Sequence, residues 1–276
     1  MKIAYCAGHD LSTPGKRVPA ALDQAQTREW VLNDRIADGF AAAAAAYPDL
    51  QLLRTDDPLG LKSISIAARA AKANRWDADL YIDMHHNAGI DLGSGGGVTI
   101  FSYPGSQTGA AYRDRIYQAL LAAGAPKGNR SKPLREKKYL SLSKTKMPAI
   151  LIEYGFMDSP ADWEVICDPS FGERMGRATL EAVAAMAGVI TGREWFLQQL
   201  QGEMPTLSAK KNRTHRVVAA VQKRLYQLGY TQVGEADGIA GSKFTAAVKA
   251  FQKDHGCVVD GELTAGQKTW KELIEA

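Results

Sequence analysis

Cysteine is scarce in this chain and nowhere clustered. The three present, Cys6, Cys167 and Cys257, are far apart and form no C-x-x-C spacing. That excludes a disulfide framework and a thiolate zinc or redox motif, and leaves free thiols of a reducing compartment as the expectation. Long apolar runs are missing as well. No stretch approaches the ~20 residues needed to span a bilayer, so no membrane partner is expected. The formal net charge is only +4, which does not point to nucleic acid as a partner. The amino-terminal stretch Met1 to His9 has one lysine and an apolar segment shorter than the core of an export signal. It reads as a first strand, so residence in the cytoplasm until release is expected. The glycine-rich segment Gly93-Ser94-Gly95-Gly96-Gly97 lacks a following Lys-Ser and a G-x-G-x-x-G frame, which argues against a phosphate loop. A monomer is expected.

What is present fits ordinary globular protein: 45% hydrophobic and 23% charged residues. At 276 residues the chain is long for one average domain and suits one of roughly 150–200 residues plus a small module. The expected divisions are residues 1–190, a helical and basic linker over 191–212, and residues 213–276. From Glu203 onward 8 Lys and 3 Arg face 3 Asp and 5 Glu. The tail is therefore mildly basic, as suits an anionic surface.

The larger part alternates strands and helices. Met1 to Ala7 is strand-like and is followed by a turn-rich stretch with Pro14-Gly15 and Pro19. A helix is expected from Thr27, with its hydroxyl as cap, through Glu29 and Ile36 into the alanine run Ala41 to Ala46. Leu50–Leu53 reads as a strand and Ser63–Asn74 as a helix. Ala78 to Ala88, Val98–Phe101 and Met147–Phe156 read as strands, and Thr108–Ala123 as a helix. This pattern predicts an α/β fold, a mainly parallel mixed sheet flanked by helices. In such sheets ligands collect at the carboxyl ends of the strands.

Three chemistry-bearing residues fall at that edge: His9, His85 and Glu153. Glu29, opening the helix after the first strand, can reach it. Side chains alternate along a strand, so His85 shares a face with Asp83 and Asn87 while His86 points the other way. One ring of the pair can enter a given pocket. A catalytic zinc ion takes about three protein ligands and keeps an open position, and two imidazoles with carboxylates at one edge supply such a set. Asp10 and Asp23 are further carboxylates that could compete for the ion. Asn87 is the candidate for contacting substrate.

These residues resemble the zinc-dependent N-acetylmuramoyl-L-alanine amidases of type 3. The matching pieces are Ala7-Gly8-His9, then Glu29 with Asn33, then Ala68-Arg69 with Ala73-Asn74 and Ala78-Asp79, then His85-His86-Asn87-Ala88, and finally Pro148 through Phe156. The resemblance covers Met1 to about Val189. It implies zinc ligands at His9, Glu29 and His85, a catalytic glutamate at Glu153, and cleavage of the amide between N-acetylmuramic acid and L-alanine in peptidoglycan. Here Asp10-Leu11 follow His9 where the family usually has two glycines, and the stretch from His9 to Glu29 is longer than usual. With no export signal expected, the implied setting is a phage or prophage endolysin. Other readings consistent with the same residues are a zinc peptidase cutting within the wall peptides and a wall-binding protein with a dead site.

Beyond a basic stretch ending at Arg213, three helices are expected: Val217–Leu228, Ser242 to about His255, and one opening at Thr264-Ala265-Gly266-Gln267 as a capping box. Two loops, around Asp237-Gly238 and Asp260-Gly261, repeat before a helix. This tail, about Arg213 to Ala276, resembles the small three-helix peptidoglycan-binding module of wall hydrolases and completes the fold class with a small all-α domain. Leu225, Phe251 and Trp270 are expected in its core. Phe244 stands where the module usually has threonine, so an altered wall-contacting face is expected there.

Overall fold

The computed structural model describes all residues, Met1–Ala276. The chain packs as two units, Met1–Val189 and Ile190–Ala276. In the larger unit β1 (Lys2–Ala7) is followed by α1 (Glu29–Ala43), β2 (Gln51–Arg54), α2 (Ile66–Trp76), β3 (Leu80–Asn87) and β4 (Thr99–Ser102). Then come α3 (Gln107–Ala122), β5 (Leu134–Glu136), α4 (Leu140–Ser143), β6 (Ala149–Phe156), α5 (Pro160–Ile166) and α6 (Pro169–Met186). The six strands form one sheet in the order β2-β1-β3-β6-β4-β5. Every pairing is parallel except β4 with β6. The expected mixed, mainly parallel sheet is therefore what forms, and the carboxyl ends of β1, β3 and β6 share one edge.

Alternation sorts the strand residues into two layers. Ile3, Tyr5, Ile82, Met84, Ile152 and Tyr154 face α1, α3 and α6 in the main core. Ala4, Cys6, Tyr81 and Leu151 face the other way, toward Ala73 of α2 and Leu142 of α4. The first layer is the tighter. A Cβ at Gly176 of α6 would lie 2.3 Å from the Phe40 amide nitrogen and 2.4 Å from the Ile36 carbonyl, and one at Gly39 of α1 would lie 2.7 Å from the Gly172 carbonyl. Glycines in both helices thus let the backbones touch. This close seat draws the start of α1, and Glu29 with it, against the sheet.

Some helix ends differ from expectation. Thr27 does not cap α1: its amide is taken by the Asp23 carboxylate at 2.7 Å, and the cap position falls to Arg28, whose side chain makes no cap bond. The alanine run ends in a 3-10 turn over Ala44–Ala46. α2 starts at Ile66 with Ser65 as cap.

The smaller unit contains α7 (Gly192–Leu200), α8 (Val218–Gln227), α9 (Ser242–Asp254) and α10 (Lys268–Glu275). Residues 191–212, expected as a linker, take part in its core: Phe196, Leu200 and Leu207 are buried with Val221, Leu225, Phe251 and Trp270. Leu207 and Leu263 exchange backbone hydrogen bonds of 2.8 and 3.0 Å, and Trp270 donates its ring N–H to the Pro205 carbonyl at 3.0 Å. Thr264 does not cap α10, which begins one turn later with Gln267 at its cap position. Phe244 is 1% exposed, so it fills the core and alters no outer face. The two Asp-Gly loops are built alike. Gln222 accepts from the Gly238 amide and donates to Asp237, and Gln252 accepts from the Gly261 amide and donates to Asp260.

Candidate metal centre

β1 ends at a close approach. The Gly8 amide still pairs with the Met84 carbonyl at 2.8 Å, and the His85 ring lies against Gly8 so closely that a Cβ there would sit 2.1 Å from a ring carbon. His9 then turns to φ +66°, a region that few residues other than glycine adopt. Arg69 of α2 secures the turn by donating to the Ala7 and His9 carbonyls, both at 2.7 Å. In the sequence Arg69 stands out only as part of a matching motif, and the contacts that give it this role come from the structure.

Glu29 is fully buried at the first turn of α1. Its Oε1 faces His85 Nδ1 at 3.0 Å and accepts the His86 backbone N–H at 3.3 Å. Its Oε2 faces His9 Nε2 at 3.3 Å and Lys16 Nζ at 3.5 Å, yet makes no hydrogen bond. The candidate ligand atoms of His9, Glu29 and His85 all lie within 4.8 Å of one another. The structure thus brings these three together. Asp10 and Asp23 are engaged elsewhere. Asp10 accepts from the Ser12 amide and hydroxyl, and Asp23 from the Ala25 and Thr27 amides.

The two adjacent histidines have different surroundings. His85 is clamped between carboxylates, with Nε2 3.2 Å from Asp83 Oδ1 and Nδ1 toward Glu29. Burial opposes its protonated form, but Asp83 and Glu29 outweigh burial and hold its pKa well above the ordinary value. For Glu29, burial works against the carboxylate, and the two imidazoles overcome it, so its pKa is well below the usual range. For Asp83, burial is likewise outweighed by His85, Cys6 and Ser141, giving a pKa of about 2. His86, on the other face, is 2% exposed, packs beside Tyr154 and Phe171, and has Nδ1 2.8 Å from Asn33 Oδ1. Burial lowers its pKa to about 4, so it is neutral at pH 7.

Asn33, one turn into α1, also donates to the Gly8 carbonyl at 3.1 Å, tying helix and strand end together. Asn87 accepts the amide of its neighbour Ala88 at 2.9 Å and makes no hydrogen bond to the His9, Glu29 and His85 side chains.

Glu153 is the register partner of His85. The two side chains leave the same face on strands about 4.8 Å apart. Burial raises the Glu153 pKa to about 7, and its Oε2 has no hydrogen-bond partner. Beyond this pair the register shifts by one residue, so Asn87 stands opposite Phe156. A cavity of about 250 Å³ opens beside the cluster, lined by His9, Asp10, Arg69, Asp83, His85 and Ser141 among others.

The cluster fits a divalent cation. Two imidazoles and a carboxylate are a donor set for a borderline ion, and the buried Glu29 carboxylate faces both rings, Oε1 toward His85 and Oε2, which lacks a hydrogen bond, toward His9. Ligation requires neutral imidazole, so a bound ion would compete with the proton that Asp83 and Glu29 favour on His85. Asp83 was legible only as a residue on the His85 face, and the orienting contact to Nε2 comes from the structure. Lys16 carried no sequence signal, because the irregular loop that brings it to Glu29 has no periodicity to read.

A family model described as N-acetylmuramoyl-L-alanine amidase matches residues 3–185, and a peptidoglycan-binding domain model matches residues 214–273. The amidase CwlM of Bacillus licheniformis is 30% identical over 134 residues, which is 48% of this chain and 49% of that protein. A sporulation-specific N-acetylmuramoyl-L-alanine amidase of Bacillus subtilis is 28% identical over 184 residues, 64% of each chain. The chain therefore spans about half of the first relative and under two thirds of the second. Among solved structures, an N-acetylmuramoyl-L-alanine amidase from Clostridium difficile 630 superposes with a TM-score of 0.60 at 20% identity, over 68% of this chain and 96% of that one. At that identity the likeness speaks to the fold.

Proposed function

The chain belongs to the N-acetylmuramoyl-L-alanine amidase family, and from that premise we propose that it hydrolyses the amide between N-acetylmuramic acid and the L-alanine of peptidoglycan, with zinc held by His9, Glu29 and His85. One observation carries the reading: three ligand-type side chains converge at one sheet edge, and Glu153 leaves the neighbouring strand in register with one of them. Zinc supplies Lewis acidity there, polarising the amide carbonyl and making water a stronger acid.

The chain's own residues do the rest. Asp83 faces His85 Nε2 and so favours the tautomer that presents Nδ1 to the cluster. Asn33 and Arg69 fix the backbone at Gly8 and His9. Glu153, with a pKa raised by burial to about 7, would be held as the carboxylate by the cation's charge and so act as a base. It takes a proton from the attacking water and passes it to the departing L-alanine nitrogen. We assign the smaller unit, matched over 214–273, to holding the enzyme on the wall. A lytic role, that of a phage or prophage endolysin, belongs to the same proposal and is tested by adding the protein to cell suspensions and following turbidity.

The decisive test is digestion of purified peptidoglycan by zinc-loaded protein, followed by mass analysis. New L-alanine amino termini with intact sugar strands are expected. Cuts within the stem peptide, with no free L-alanine terminus, would instead favour a peptidase.

A further inference from the structure

A second cleft, of about 560 Å³, lies at the same sheet edge as the metal centre. One wall, Gly89 and Ile90, follows β3, the strand of His85. Another, Ser94 to Gly96, leads into β4, and Asn129 to Lys132 lead into β5, which carries Arg135. Because β4 runs antiparallel to β6 and β5 parallel to β4, the amino ends of β4 and β5 meet the carboxyl ends of β3 and β6. The cleft is thus a lateral extension of the catalytic edge.

Its walls are fixed from behind by two carboxylates. Asp158 Oδ2 accepts the amides of Gly89, Ile90 and Asp91 at 2.7–2.9 Å. Asp162 Oδ2 accepts those of Gly97 and Phe156 at 2.7 and 2.8 Å, and Ser159 donates to the Gly95 carbonyl at 2.6 Å.

Its charge is of one sign. Arg130, Lys132 and Arg135 line it, and no Asp or Glu does. None of the three forms an ion pair, whereas Arg54, Arg113, Arg174, Arg177 and Arg216 elsewhere each meet a carboxylate. The Arg130 guanidinium stands 4.4 Å over the Phe156 ring, three residues beyond Glu153 on β6. Because β6 carries one extra residue against β3 over this stretch, that offset matches two residues of strand, about 7 Å, and an extended substrate peptide advances ~3.3–3.6 Å per residue. The Arg130 end of the cleft therefore lies about two residues from the amide at Glu153.

Resting on the amidase reading above, the geometry points to this cleft as the subsite for the stem peptide, in which Arg130, Lys132 and Arg135 take the free carboxylate of its second residue. A glutamate joined through its side chain leaves the α-carboxylate free at that distance. Arg and Lys on a carboxylate make charge-assisted hydrogen bonds, stronger than neutral ones. Such a contact favours walls that carry this carboxylate over those that carry an amide in its place.

The test uses the full-length protein and two tripeptides, L-Ala-γ-D-Glu-L-Lys and its α-amide. Both are products, which the reaction does not consume, and binding is followed by calorimetry. The acid form is expected to bind roughly 10–100-fold tighter, the usual worth of a hydrogen bond to a charged group, and to weaken with added salt. A Lys132→Gln/Arg135→Gln double variant, which leaves the Arg130 stacking contact intact, is expected to lose most of that preference while binding the amide form as before. Equal binding of acid and amide by the unaltered protein overturns the proposal, as does a preference that survives the double substitution. A third arm uses teichoic acid: if the double variant loses affinity for that phosphate polymer and not for the acid tripeptide, the cleft is a phosphate site and the peptide assignment falls. Cleavage of a muramoyl peptide is measured separately on the same preparation. Absence of cleavage would remove the amidase reading while the tripeptide result still decides the subsite.

Discussion

The two faces of β3 differ in what they ask of neighbouring residues. On one face His85 sits among Glu29, Asp83 and His9, beside a cavity of about 250 Å³. On the other, one residue along, His86 lies in a buried layer beneath α1 and α6, whose backbones touch. The first face keeps charged groups close together, an arrangement that is costly unless an ion or a proton joins them. The second is shaped by close packing and keeps its histidine neutral. Substitutions on the first face should therefore cost function before stability, and those on the second stability before function.

The largest effect is expected at Glu153. Glu153→Gln should keep zinc and wall binding while turnover falls by roughly 10²–10⁴, the usual contribution of a positioned acid or base. The pH profile sharpens the test. Glu153 accepts a proton only as carboxylate, and burial puts its pKa at about 7. kcat/KM of the unaltered enzyme should therefore fall on the acid side, about tenfold per pH unit once well below the governing pKa, and a bound cation moves that limb to lower pH. The residual activity of Glu153→Gln should lack the limb. Near-normal turnover in the variant would place the proton transfer elsewhere.

A smaller effect is expected at Asp83, which touches His85 and stands outside the three-residue ligand cluster. Asp83→Asn should weaken zinc affinity by roughly 10–100-fold, as is usual for the partner of a ligating histidine, read by competition with a chelating dye. Unchanged affinity would show that Asp83 does not orient the ring. On the packed face, Gly176→Ala should leave zinc affinity within a few-fold and lower the unfolding free energy by about 1–3 kcal/mol, the common cost of overpacking, because its Cβ meets backbone atoms of α1. Loss of zinc with unchanged stability in that variant would break the contrast between the faces.

Much of this contrast was legible in the sequence. Alternation along the strand separates His85 from His86, and the strand-and-helix pattern places His9, His85 and Glu153 at one edge. The missing parts have physical reasons. α6 carries Gly172 and Gly176, residues of low helix propensity, whose value lies in the contact with α1. β5 is a three-residue edge strand, too short for a period to show. Thr27 has the right chemistry for a helix cap, but its amide is committed to Asp23 in the preceding loop. The basic cleft draws its lining from two stretches far apart in sequence, Gly89 to Gly96 and Asn129 to Arg135, and no local pattern announces such a meeting. The segment 191–212 reads as linker by its polar, basic residues, yet Phe196, Leu200 and Leu207 are enough to seat it in the small core.

The central claim, that a metal is held by the His85 face and not by the His86 face, is tested most directly by elemental analysis of His85→Ala and His86→Ala after loading with equimolar zinc and removal of the excess. The account predicts that His85→Ala emerges with little zinc, and that His86→Ala, though less stable for want of the Asn33 contact, emerges with about one ion per chain, as the unaltered protein does. Zinc retained by His85→Ala and lost by His86→Ala would contradict it.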